Sequence, residues 1–370
     1  MCNLDVTLSS RTIEIGALFA QTGALARPER AQLQGFMLAV STINAGGGVL
    51  GRELVPVVID TASDPAHATA TATTMIRQEI EHLFGCSDSR VRKALIPRLE
   101  RQNALLWYGT QFEGFEYSSN IVYGGACPNQ HVAPLFDYLF ERGHGDYLLV
   151  GSDFLFSREC NRVARQMVET HGGKILGEIY LPTDAGEDAV DSMVSMLNRR
   201  PDAVFSSVVG TSAMQLSAVL QKRGATAPLA SVAISEIDLA LQPELFEGQI
   251  SAVPYFETLS NPFNERFLTA FRKRFGPNAR AGWLTANAYV QVMDFAQTAE
   301  LAGSIAVDDM LAHLGAALVD SPFGPCRIDP DNHYTHCLPR IGLANAQGRF
   351  DLQHEAAQVV PPDPYFIAYA

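Results

Sequence analysis

Long apolar runs, basic clusters and paired cysteines are all missing from this sequence, and each gap closes off a class of function. No apolar stretch approaches the roughly 18 residues that cross a bilayer, so no membrane span is expected. No block of lysines or arginines stands against a formal net charge of −13, which would repel a phosphate backbone. Direct nucleic-acid binding is therefore not expected. The six cysteines, Cys2, Cys86, Cys127, Cys160, Cys326 and Cys337, show no C-x-x-C spacing and are scattered too widely for a disulfide framework. They fit a reducing cytoplasm, as small buried residues. The opening MCNLDVTLSSRTIEIG lacks a basic region followed by an apolar one, so the chain reads as unexported and cytoplasmic. The alternative is a periplasmic protein or lipoprotein whose upstream signal has been removed, with Cys2 as the mature first cysteine.

Familiar catalytic signatures are missing too: there is no G-x-S-x-G, no P-loop and no H-E-x-x-H. His333, His336 and Cys337 form H-x-x-H-C, but an extended segment does not turn all three to one face. They read as surface histidines rather than metal ligands. Cys86 and Cys127 have no sequence-evident base to activate a thiol. The expectation is binding without turnover, with no cofactor.

What is present is an ordinary globular composition, 47% hydrophobic and 18% charged, in 370 residues. That length exceeds a single core and predicts two lobes of roughly 150 to 200 residues. Short apolar strands alternate with amphipathic helices from residue 12 to residue 123, and the same rhythm restarts after Gly124-Gly125 and runs to about residue 232. Such alternation predicts parallel sheets covered on both faces, hence two Rossmann-like lobes. Strand 250–253 then leads to helices over 262–275 and 282–302, and 340–345 with 349–355 reads as a hairpin about Ala346-Gln347-Gly348.

In open α/β sheets, ligands bind outside the carboxyl ends of the strands. The most informative stretch is therefore Gly85 to Pro128, where polar turns follow two strands and place Ser87, Ser89, Tyr108, Gly109, Thr110 and Gln111 at one crevice. Hydroxyl and backbone groups of this kind suit a small neutral molecule such as a primary amide, which needs both donors and acceptors. Ser89 also reads as a helix N-cap, and Tyr108 as a tyrosine packed against a hinge.

Four segments carry a more specific likeness: GFEYSSNIVYGGACPNQHVAPL (114–135), GSDFLFSRECN (151–161), FSSVVGT (205–211) and VPYFETL (253–259). With NAGGGVLGR (44–52) and the PPDPY ending (361–365), they resemble the AmiC-type amide receptors over nearly the whole chain. The resemblance implies a type I periplasmic-binding-protein fold, an α/β clamshell whose lobes are joined by a three-crossing hinge. Lobe one would comprise 1–124 and 254–328, and lobe two 125–253 and 329–370. It also implies a cytoplasmic sensor of small amides that restrains an RNA-binding antiterminator protein as negative regulator of an amidase-type operon. Relatives of the same fold serve ABC transporters for amides, urea or branched-chain amino acids, which is the alternative function. A homodimer is left open.

By the same resemblance, Ser89, Tyr108 and Thr110 would contact ligand, and Thr211, Ser212 and Tyr255 would close the pocket from lobe two unless they cap a helix or pack between lobes. Phe154 and Phe156 stand where the family has tyrosines, Ser87 where it has a tyrosine, and Gln111 where it has a proline. These departures favour a bulkier, more apolar ligand than acetamide. Glu236 and Asp153 would meet a ligand ammonium if the ligand were an amino acid; the resemblance favours helix caps for both.

Overall fold

The computed structural model describes residues 11–195 and 200–366, so Cys2 and the last turn of the helix expected over 187–198 lie outside the described residues. The chain opens with β1 (Thr12–Phe19), α1 (Ala26–Ala45), β2 (Glu53–Asp60), α2 (Pro65–Arg77), β3 (His82–Gly85), α3 (Ser89–Gln102), β4 (Leu105–Tyr108) and β5 (Ile121–Tyr123). These strands form one parallel sheet in the order β2-β1-β3-β4-β5.

The second run is α4 (Pro128–Phe140), β6 (Asp146–Ser152), α5 (Leu155–Thr170), β7 (Lys174–Leu181), α6 (Glu187–Ser195), β8 (Ala203–Ser207), α7 (Thr211–Lys222), β9 (Leu229–Ser231), α8 (Glu236–Leu239), α9 (Pro243–Phe246) and β10 (Ile250–Ala252). Then come α10 (Pro262–Phe275), α11 (Trp283–Ala302), α12 (Val307–Leu311), β11 (Arg327–Ile328), β12 (Thr335–His336), β13 (Arg340–Ala344) and β14 (Phe350–Glu355). The second sheet runs β14-β13-β10-β9-β8-β6-β7, parallel from β10 to β7 and antiparallel where the hairpin β13–β14 extends its edge.

Local chemistry explains the element boundaries. Asp64 caps α2 by accepting from Ala66 N–H at 2.8 Å, and Pro65 at the first helical position loses nothing by lacking an N–H. The return from α1 to β2 needs Gly48, whose φ is +83° and where a Cβ would lie 1.9 Å from the Arg52 carbonyl oxygen. Helices α1 and α11 cross with their backbones almost touching, since a Cβ on Gly35 would fall 2.0 Å from the Thr285 carbonyl oxygen.

Beneath α1 and α11, Phe84 stacks on Trp107 at 5.7 Å between centroids, and Phe295 meets both rings edge-on. Helix α10 joins a different core: Phe267 and Phe271 pack in one cluster with Tyr255, Phe256, Phe350 and Leu38 of α1. At the hinge, β11 pairs with β12, and Tyr334 beside it stacks on Tyr123 at 4.3 Å. His333 and His336 are buried in this hinge, 6% and 9% exposed, which corrects the surface position read from the sequence. His336 Nε2 lies 2.9 Å from Asp329 Oδ2, so packing of the crossing, and not metal spacing, accounts for the motif. Among the described residues no group of three metal-ligating side chains converges, and no helix is long and apolar enough to cross a membrane.

Candidate ligand-binding cleft

Each sheet changes winding direction one strand in from an edge: β2 and β3 flank β1 in one, and β7 and β8 flank β6 in the other. Such a switch point splays the following loops apart and leaves a crevice beyond the strand ends. Here the two crevices face each other across one cavity. Its lining follows the carboxyl ends of β3 (Ser87), β4 (Thr110, Gln111), β6 (Phe154, Phe156), β8 (Val208, Val209) and β9 (Val232, Ala233), with Arg27 and Pro28 from the start of α1.

The cavity has about 70 Å³ of room for water centres, against the ~10–15 Å³ that one water takes by that measure and the ~30 Å³ it fills in the liquid. That is space for roughly five to seven waters, or one solute of ~150–200 Å³. Its walls differ in character. Lobe two contributes mostly carbon, with Phe154 and Phe156 stacked at 6.3 Å, together with Ser235 and Asp238, while lobe one contributes the hydroxyls of Ser87 and Thr110 and the charged head of Arg27 beside Leu25, Pro28 and Leu284.

Two side chains of lobe one reach across. Arg27 pairs with Asp238 of α8 at 3.0 Å and donates to the Gly210 carbonyl at 3.2 Å. Gln111 Nε2 donates to the Val232 carbonyl at 3.0 Å. The clamshell is therefore closed, with an ion pair and hydrogen bonds bridging the lobes around the cavity.

Ser87, Thr110, Gln111, Phe154 and Phe156 line this space, and seven other expected site residues do not. Ser89 is 1% exposed and its hydroxyl donates to Glu113 at 2.9 Å. The helix cap is Asp88, which accepts from Arg90 N–H at 2.8 Å, so Ser89 caps nothing. Tyr108 lies under the floor: its hydroxyl donates to the Ser87 carbonyl at 3.2 Å and the Arg92 guanidinium sits 4.6 Å over its ring. Burial holds that phenol well above its ordinary range. Gly109 accepts from Asn287 Nδ2 at 2.8 Å and borders a smaller cavity behind the strand ends.

On the lobe-two side, Thr211 donates to the Thr183 carbonyl at 3.1 Å, and Ser212 accepts from Ala185 N–H at 2.9 Å while donating to the Pro182 carbonyl. Both fasten the loop after β7. Tyr255 is buried with its hydroxyl on Asn264 Oδ1 at 2.9 Å. Glu236 is wholly buried, accepting from Glu257 N–H at 2.8 Å, and burial followed by repulsion from Glu257 pushes its carboxyl up to about 8. Neither acid is a cap: Ser235 begins α8 and Phe154 begins α5, while Asp153 pairs with Arg158 at 2.6 Å on the surface.

Sequence reasoning missed Arg27, Asp238 and Glu29. Glu29 stands directly behind Ser87, 2% exposed, accepting from the Ser87 hydroxyl and from its backbone N–H at 3.1 Å, and from Ala20 N–H. Burial is the leading cause that raises its carboxyl, and these hydrogen bonds oppose it. A second buried network backs the floor: Arg92 bonds Glu113 at 2.5 Å and Glu116 at 2.8 Å, and Lys93 reaches Glu116 at 2.6 Å. The thiols near the cleft are quiet, because burial raises Cys86 well above its usual range and pushes Cys127 up to about 12.

A closed two-lobed α/β clamshell with a small cavity between facing switch points is the architecture of a solute-binding protein. A family model for the periplasmic binding protein domain matches residues 13–370, and the chain belongs to that family. Its fold is the type I form of that family, as expected. The structure superposes on a solute-binding protein of an ABC transporter from Rhodopseudomonas palustris BisB5, solved with 3,4-dihydroxybenzoic acid, with a TM-score of 0.83. That likeness covers 95% of this chain and 99% of the other at 18% identity, which speaks for fold alone.

Among curated proteins, 85 residues are 33% identical to the leucine-, isoleucine-, valine-, threonine- and alanine-binding protein of Pseudomonas aeruginosa, covering 22% of this chain. A stretch of 117 residues is 28% identical to limonene hydroxylase of Geobacillus stearothermophilus, covering 32% of this chain. The matched stretches span only 23% and 21% of those two proteins.

Proposed function

We propose that this ligand-binding protein is the solute receptor of an ABC transporter, taking a branched-chain amino acid or a small aromatic acid and releasing it unchanged. The observation that carries the reading is the cavity's division, with an aromatic and aliphatic wall on lobe two and hydroxyls on lobe one. Room for one solute of ~150–200 Å³ accommodates either class, and these are the classes named for the Pseudomonas and Rhodopseudomonas relatives. Burying a leucine-sized or phenyl-sized group contributes about 1.5–3 kcal/mol. A few hydrogen bonds of about 1 kcal/mol each add to this, toward the roughly −8 kcal/mol of a micromolar Kd. In this reading the receptor works outside the cytoplasmic membrane.

A cytoplasmic amide sensor acting on an RNA-binding antiterminator is the second reading, supported by the motif likeness over 114–135 and 205–211. It is the weaker one, because Ser89 and Tyr108, which that likeness puts in contact with ligand, are committed to Glu113 and Ser87 below the floor. Isothermal titration with leucine, isoleucine, valine, benzoate, 4-hydroxybenzoate, acetamide and isobutyramide separates the two. Micromolar binding of an amino acid or aromatic acid is expected; binding confined to the amides would return the function to amide sensing.

A further inference from the structure

One end of the cleft has its hydrogen-bond polarity fixed from behind. Ser87 lines the cavity, yet both of its protons point away from it: the hydroxyl and the backbone N–H, the latter at 3.1 Å, converge on Glu29 Oε1. Glu29 Oε2 takes Ala20 N–H at the end of β1. Backbone N–H groups hold one oxygen each, Ser87 on Oε1 and Ala20 on Oε2, so this 2% exposed side chain accepts at both oxygens and, as the carboxylate, takes the Ser87 hydroxyl proton as well. A serine hydroxyl has one proton and two lone pairs. With the proton held by Glu29, Ser87 Oγ can show a solute only lone pairs.

The neighbouring charges are already paired with one another. Asp88 follows Ser87 and is itself held by Arg90, through N–H at 2.8 Å and Nε at 3.0 Å. The cavity's own cation, Arg27, is already turned to Asp238 at 3.0 Å. An acceptor-only head group placed against Ser87 would meet lone pairs backed by a buried carboxylate, which costs the full desolvation of that group without a bond in return. A head group with an N–H or O–H meets a matched acceptor.

We infer that Glu29 is a positioning residue that makes Ser87 a hydrogen-bond acceptor, so that the cleft selects solutes whose inner end carries an N–H or O–H donor. The inference rests on the proposed receptor reading and narrows its solute class to amino, hydroxyl or amide bearers. A solute with both a donor and a carboxylate binds with the donor at Ser87 and the carboxylate away from it. A glutamine at position 29 loosens that hold, because its amide NH2 must face one of the two backbone donors, Ser87 N–H or Ala20 N–H, and the side chain no longer carries a charge to draw the serine proton.

Isothermal titration of matched pairs tests this on the wild-type chain, Glu29→Gln and Ser87→Ala: leucine with 4-methylpentanoate, 4-hydroxybenzoate with benzoate, and isobutyramide with isobutyrate. In the wild type, the donor-bearing member of each binding pair is expected to bind at least tenfold tighter. That ratio should fall at least fivefold in Glu29→Gln, and Ser87→Ala should lose it as well, so the idea stays testable if the buried Glu29 variant fails to fold. The ratio is the readout, since a merely structural role for Glu29 would weaken both members alike. Tight binding with the acceptor-only member equal or favoured, or with the ratio unchanged in Ser87→Ala, overturns the inference and leaves the receptor reading intact. Absence of binding by every pair overturns both.

Discussion

Glu236 makes a measurable demand on the pH dependence of stability. It is wholly buried between the lobes, one oxygen accepts Glu257 N–H at 2.8 Å, and the other has no partner among the described residues. Burial first, then Glu257 beside it, raises the carboxyl from 4.5 to about 8. The folded protein therefore keeps a proton on Glu236 that the unfolded chain releases above pH 4.5, and stability must fall as pH rises between the two values.

A shift from 4.5 to about 8 corresponds to roughly 5 kcal/mol at ~1.36 kcal/mol per pH unit. The contribution is fully present below pH 4.5 and lost once pH passes about 8. Glu236→Gln keeps the neutral shape and the acceptor for Glu257 N–H while removing the titration. In urea unfolding at pH 5, 6, 7 and 8, the stability of the wild type relative to this variant should decline steadily, by about 3–5 kcal/mol across the series. A difference that stays constant within about 1 kcal/mol would refute the assignment of a neutral, buried Glu236.

Arg27→Ala removes the interlobe ion pair and leaves Asp238, only 10% exposed in its side chain, without its cation. Solute affinity should fall about tenfold, ~1.4 kcal/mol, with a larger radius of gyration in the bound state; unchanged affinity would show that the pair does not hold the closed form. Gly35→Ala sets up to ~1 kcal/mol of helix propensity against ~1–3 kcal/mol of overpacking. With the Thr285 carbonyl oxygen 2.0 Å from the new Cβ, destabilisation should win in a thermal melt, and a raised Tm would contradict the α1–α11 contact. Phe156→Ala strips a 6% exposed ring from the cleft wall. A stability loss of about 3–5 kcal/mol is expected, together with better relative binding of bulkier solutes in the titration panel.

The strand-helix rhythm was legible because each element carries its own periodicity and boundary chemistry, as Asp64-Pro65 does for α2. The same holds for part of the cleft: Ser87, Thr110 and Gln111 follow strand ends, and the strand-end rule alone finds them. Applied to β8 and β9, that rule would also have found Val208, Val209, Val232 and Ala233. Ser89 was misplaced because Asp88, an equally good cap, precedes it by one residue and frees the serine to turn inward to Glu113. Arg27, Asp238 and Glu29 left no signal at all. Their roles come from pairing across the fold, Glu29 with Ser87 and Arg27 with Asp238, and nothing in the local sequence marks such a pair. His333 and His336 looked like surface residues because their burial depends on how the hinge packs, through Tyr334 against Tyr123.

The central claim is that both lobes hold one small solute in the cavity between the two switch points. The most direct test is a crystal structure with the tightest solute of the titration panel. The account requires its polar end within about 3.2 Å of Ser87 Oγ and its apolar body against Phe154 and Phe156. A solute seated elsewhere, or touching only one lobe, would contradict it.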